Sequence, residues 1–138
     1  FKSGHERSTT GSSPMKVHDG SFSDSVRASG EIWIGGQVAQ DADGGVLAPG
    51  DIREQSRIVF QRLHDALGHS GATLDDIVKL NLFFASNSDD IDEEFHAALA
   101  VWSELAPNSR PAMTPVRVYE LFQSGLLIQA DCIAMMSI

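Results

Sequence analysis

This chain predicts an α+β fold, with two helices laid on one face of a mostly antiparallel sheet. Three observations carry that prediction. Two segments place apolar residues at helical spacing: Ile52, Val59, Phe60, Leu63 and Leu67 in one, and Ile91, Phe95, Ala98, Leu99, Trp102 and Leu105 in the other. Segments near both ends instead alternate with the period of two that a strand imposes, clearest in Ala112–Glu120 and Leu126–Ala134. The order along the chain is strands, helix, strand, helix, two strands, which a two-layer arrangement satisfies.

The elements follow in order. Phe1–Pro14 is polar and rich in Ser, Thr and Gly, with Glu6–Thr10 available as an edge strand before Gly11-Ser12-Ser13-Pro14 turns the chain. Ser25–Ala28 and Glu31–Gly35 predict a hairpin about Ser29-Gly30, with Ile32 and Ile34 on one face and Trp33 on the other. Gly35-Gly36-Gln37 should end that strand; paired glycines permit a bulge, or let backbone N–H groups come close to a ligand. Asp41–Gly45 is a turn cluster. Asp51 is placed to cap the first helix, with Glu54 completing a capping box and Gly68 or Gly71 ending it. Ile77–Phe84 is too short and too apolar for a surface helix and predicts a central strand covered on both faces. Ser88–Asp90 can cap the second helix, whose acidic first turns suit the positive end of its dipole, and Pro107 closes it.

Composition narrows the function. The 138 residues make one domain with room for a core, 1–14 being its polar leading segment. Ten bases against 19 acids give a net charge of -9 with no basic cluster, so a phosphate backbone is a poor partner. No apolar run approaches the roughly 20 residues of a membrane span. No apolar signal core is evident either. A lone cysteine, Cys132, fits a reducing, cytoplasmic setting. His64, His69 and His96 lack partners at metal-ligand spacing, and neither a metal nor another cofactor is called for.

Read as one pair, the last two strands separate two kinds of face. Ala112, Thr114, Val116 and Val118 with Ile128, Ala130, Cys132 and Ala134 are suited to a core. Met113, Pro115, Arg117 and Tyr119 with Leu127, Gln129, Asp131 and Ile133 mix charge, amide and bulk, and should line a cleft or a subunit boundary. Covering that face and Trp33 is most simply done by a homo-oligomer.

Several stretches resemble the Rid family of reactive-intermediate deaminases, also called YjgF-like or L-PSP endoribonuclease-like proteins. They include GSSP, Phe22-Ser23, IWIGGQV, the block Asp51–Phe84, RPAMTPVRV and LLIQADCIA. The resemblance covers nearly the whole chain. It implies a chorismate-mutase-like fold, a homotrimer with clefts between subunits, and hydrolysis of an enamine or imine to a keto compound and ammonia. It also implies departures. Met113 stands where an arginine grips the substrate carboxylate, Pro115 where a cysteine is frequent, Gln129 at the water-handling glutamate and Phe22 at a tyrosine. A methionine cannot make the two-pronged carboxylate contact of a guanidinium, and losing it weakens an acidic substrate by a few kcal/mol. An amide has no proton to take up at neutral pH, so Gln129 can orient water but is no general base.

Within that frame Gln129 and Asp131 are the catalytic candidates, and Phe22, Gly35, Gly36, Met113 and Arg117 the substrate-binding ones. Gly35 and Gly36 would offer N–H groups to developing charge. Arg117 either replaces the missing cation or forms a salt bridge with Asp131, the commoner arrangement. The leading expectation is a trimeric hydrolase of a small imine or related carbonyl-derived metabolite. The alternative is a non-catalytic small-molecule binder on the same fold. A ribonuclease is disfavoured by charge.

Overall fold

The structure, a computed structural model, describes residues 7–10, 21–85 and 89–136. Its elements are β1 (Arg7–Thr10), β2 (Ser25–Ala28), β3 (Glu31–Val38), α1 (Ile52–Gly68), β4 (Ile77–Ala85), α2 (Ile91–Leu105), β5 (Ala112–Val118) and β6 (Ile128–Met135), with a 3₁₀ turn at Leu74–Asp76. The GSSP turn and Ser88 as a helix cap lie outside the described residues.

Six strands form one sheet in the order β1-β2-β3-β6-β4-β5. All neighbours are antiparallel except β4 and β5, which are parallel. A parallel pair needs a long crossover, and α2 supplies it. The α+β architecture with a mostly antiparallel sheet and two helices is as the sequence predicts. The pairing of the last two strands is not: β4 lies between β5 and β6. The link between them runs from Val118, beside Ala85, to Ile128, beside Phe84, and so passes the end of β4.

Local chemistry explains most boundaries. The β2–β3 turn holds Ser29 at φ 52° and Gly30 at φ 83°, the pair of positive values that matches strand twist in a two-residue hairpin. The Asp51 side chain accepts from the Glu54 N–H at 3.0 Å, so Asp51 does cap α1. Glu54 does not complete a box there; its carboxylate lies 3.6 Å from Arg57 Nε. A full capping box forms instead between Thr73 and Asp76. Asp90 caps α2 by accepting from the Glu93 N–H at 3.0 Å.

The core lies between the helices and one face of the sheet. Val59, Phe60, Leu63 and Leu67 of α1 are fully buried with Ile32, Leu80, Leu82, Ile128 and Ala130 of the strands. Phe60 meets Trp102 of α2 edge-on at 5.1 Å. Removing one such large side chain costs about 3–5 kcal/mol. The other sheet face is not covered by any of the described residues. β4 was expected to be covered on both sides; Lys79, Asn81 and Phe83 are only half-buried and Val78 is exposed.

Two polar side chains, one buried and one half-buried, tie the helix layer to the strand ends. Gln55 is fully buried; its Nε2 donates to Gly125 O at 3.0 Å, and its Oε1 accepts from Leu127 N–H at 2.9 Å. Arg62 Nη1 donates to the carbonyls of Val38 at 2.5 Å and Gln40 at 2.7 Å. Val38 pairs with Gln129, so both ties fix the backbone around that residue.

Candidate functional site

The uncovered face is built in rows, because Cα partners on neighbouring strands present side chains to the same side. One row is Trp33, Ile133, Lys79 and Ala112; the next is Asp131, Asn81 and Thr114; the third contains Gln129, Phe83 and Val116. The middle row is polar and the flanking rows largely apolar. Trp33 is 49% exposed and Val116 38%. Asn81 Nδ2 donates to Asp131 Oδ1 at 2.8 Å, and Lys79 Nζ donates to the Thr114 hydroxyl. A carboxylate and an amide thus sit at the centre of an apolar surface that the described residues leave open.

Gly35 and Gly36 do not end β3. The strand continues to Val38, and its register with β6 shifts between Ile34 and Gln37, which makes the glycines a bulge. Their roles differ. The Gly35 N–H donates to Asp24 O at 2.8 Å, so it is already used and does not serve as the expected donor to a ligand. Gly36 faces the Gln129 side chain: a Cβ built there would lie 2.7 Å from Nε2 and 3.0 Å from Cδ. Only glycine admits that approach.

The expected cleft set is brought together in part. Gln129 and Asp131 share the open face and flank the bulge strand. Phe22, half-exposed, directly precedes Ser23 and Asp24, whose carbonyls stand over Gly35. Met113 and Arg117 depart from expectation. Met113 registers with Leu80 and Arg117 with Phe84, on the helix-facing side of the sheet. Met113 packs against the hydrophobic core, so it does not stand beside Gln129 and Asp131. Thr114, expected to point inward, takes the open-face position instead. Arg117 is also not on the strand next to Asp131, whose neighbour in register is Asn81. The polarity of an edge strand explains the inversion: Ala112, Thr114, Pro115, Val116 and Arg117 are all exposed, so neither face of β5 is marked as core by composition.

Three polar residues of the site, Asn81, Lys79 and Thr114, were not anticipated. Asn81 and Lys79 interrupt an apolar run, and that interruption was the available signal. Burial and the nearby Asp131 carboxylate push the Cys132 thiol up to about 12, so it is a packing residue. Among the described residues, no group of three or more His, Cys, Asp or Glu is placed to hold a metal ion. A groove of about 720 Å³ opens in the helix layer at the first turns of α1 and α2; Asp51, Asp90, Glu93 and Glu94 give it an acidic lining unlike the open face.

Residues 14–136 match the family described as endoribonuclease L-PSP. The mitochondrial protein mmf2 of Schizosaccharomyces pombe is 34% identical over 117 residues, 83% of this chain and 87% of that one. A Dermatophagoides farinae protein named 2-iminobutanoate/2-iminopropanoate deaminase is 28% identical over 102 residues, 74% of this chain and 76% of that one. The crystal structure of Rv2704 from Mycobacterium tuberculosis, of the YjgF/YER057c/UK114 family, superposes with a TM-score of 0.77 at 26% identity, covering 95% of this chain and all of that one. No helix among the described residues is long and apolar enough to cross a membrane.

Proposed function

This chain belongs to the endoribonuclease L-PSP family, also known as Rid or YjgF-like, and from that premise we propose that it hydrolyses a small imine or enamine at a cleft completed by a second copy of itself. One observation carries the reading: the Gln129 amide is seated against Gly36, with the Asp131 carboxylate two residues along, on a sheet face that the described residues do not cover. The deaminase name of the mite relative supports the reaction class.

In the proposed reaction Gln129 orients a water over the C=N carbon. Asp131 takes the proton as the water oxygen bonds to carbon. Asp131 returns that proton to nitrogen, giving the carbinolamine; the hydroxyl proton then passes to nitrogen as the C–N bond breaks, which releases ammonia and leaves the carbonyl product. The open apolar rows, with Trp33 and Val116, pack against neighbouring copies in a homotrimer. The bulge backbone at Gly35 and Gly36 and the half-exposed Phe22 form the wall of the cleft. Met113 and Arg117 take the helix-facing positions of β5 and stand outside that cleft. The Asp131 carboxylate at the centre of the open face repels a second carboxylate, so the preferred substrate is less acidic or more apolar than a short imino acid. The compartment in this reading is cytoplasmic, where imines released by other enzymes would be met. The charge of -9 weighs against ribonuclease action.

A second reading, a binder without catalysis, is favoured by one observation: Met113 is packed against the core and offers a carboxylate no grip. Ammonia release separates the two. Imines generated in situ from acidic and from neutral amines should lose nitrogen faster with protein present, and the Asp131→Asn variant should not accelerate them. No acceleration on any imine leaves the binder.

A further inference from the structure

We infer that Asn81 is a positioning residue for the Asp131 carboxylate. The inference rests on the reading of Asp131 as the group that moves the proton, and extends it to a residue on a different strand. Asn81 stands in β4, in register with Asp131 of β6 on one side and Thr114 of β5 on the other. The strand around it, Ile77–Ala85, is otherwise apolar apart from Lys79. An aliphatic side chain would suit this face, beside Phe83 and Val116, as well as any other. Instead the amide donates from Nδ2 to Asp131 Oδ1 at 2.8 Å. That bond engages one carboxylate oxygen and favours one orientation of the group.

The choice of an amide is chemically specific. A carboxylate held by a lysine or arginine gains full Coulomb stabilisation of its charged form, which opposes taking up a proton. A neutral donor aims the same carboxylate at a smaller penalty to proton uptake. The cation nearest in register, Lys79, is turned to the Thr114 hydroxyl. The row therefore holds Asp131 oriented by a neutral partner at the centre of an apolar face, where a misdirected carboxylate would be least forgiven. Misplacing a reacting group by about 1 Å costs up to roughly 100-fold in rate.

The test uses the full-length protein and an imine that it turns over, with Asn81→Leu, Asp131→Asn, Asn81→Asp and the exchange Asn81→Asp/Asp131→Asn. Asn81→Leu should lower kcat by about tenfold to 100-fold with KM changed less than twofold. Asn81→Asp should lose thermal stability from two facing carboxylates. The exchange variant should recover that stability, because amide and carboxylate face each other again, yet stay slow, because the carboxylate now projects from β4. Wild-type kcat in Asn81→Leu, with Asp131→Asn inactive, overturns the role of Asn81 alone. Recovery of rate together with stability in the exchange variant does the same, and serves if Asn81→Leu does not fold. Full activity in Asp131→Asn, or no turnover of any imine by the wild type, overturns the underlying reading of Asp131 and the inference with it.

Discussion

Replacing Gly36 by alanine separates the stability of this fold from the placement of its site. The new Cβ would stand 2.7 Å from Gln129 Nε2, 3.0 Å from Cδ and 3.4 Å from Cγ. The first contact is with the end of a flexible side chain, but the second is not relieved by turning the amide alone. Gln129 must change rotamer, and its amide must leave the bulge. Off-rotamer placement costs about 0.5–1.5 kcal/mol, and local overpacking about 1–3 kcal/mol. Because Gln129 is only half-buried and can swing outward, the lower part of that range applies. Unfolding should therefore fall by about 1 kcal/mol, a few degrees in Tm for a domain of this size. The effect on rate should be far larger, up to about 100-fold, because the water-orienting group has moved by more than 1 Å. Gly35→Ala is the control: its Cβ would meet the Ser23 and Asp24 carbonyls at 3.5 and 3.6 Å, ordinary contact distances. The assay is ammonia release from an imine formed in situ, with kcat and Tm measured on the single variants, Gln129→Ala and the double variant. The two changes should be strongly non-additive, since alanine at 129 removes the group that alanine at 36 displaces. Wild-type rate in Gly36→Ala, or additive losses in the double variant, would refute the reasoning.

The remaining expectations follow from other parts of the molecule. Gln55→Ala leaves the Gly125 carbonyl and the Leu127 N–H without their buried partner and should cost on the order of 3 kcal/mol in denaturant titration; a loss under 1 kcal/mol would count against that tie. Cys132, buried and with its thiol pushed up to about 12, should resist iodoacetamide at neutral pH in the native state and react on unfolding. Its folded pKa is raised above the unfolded one, so the native state holds the proton more tightly; its contribution to stability is complete below about pH 8.5 and is lost as pH rises toward 12. Trp33→Lys or Ile133→Lys puts charge on the uncovered apolar rows and should give a smaller species than wild type by light scattering; an unchanged mass would mean that this face is not the one that packs.

How much of this was legible in the sequence depends on the kind of signal. Helical stripes and caps were legible because the physics is local: Val59, Phe60, Leu63 and Leu67 share one side of α1 whatever surrounds it, and Asp51 needs only the Glu54 N–H. The hairpin at Ser29-Gly30 was legible for the same reason. In β6 every second residue from Ile128 to Ala134 is buried, so its face was read as it stands. Strand order was not legible. Period two reports which way a side chain points but not which strand is beside it, and a link that passes one strand end looks like a hairpin loop. The face of β5 was misread because an edge strand has little burial to pattern it. Gln55, buried within a polar run of α1, and Asn81, half-buried in an apolar strand, were missed because each is explained only by its partner, and those partners lie 70 and 50 residues away.

The account stands most directly on whether the Gln129–Asp131 face does chemistry. The decisive measurement is the rate of ammonia release from in situ imines, acidic and neutral, for wild type and for the Gln129→Ala/Asp131→Asn double variant at equal folded concentration. The account predicts acceleration by the wild type, greater on neutral than on acidic imines, and return of the double variant to the uncatalysed rate. Equal rates with and without wild-type protein, or full acceleration by the double variant, would contradict it.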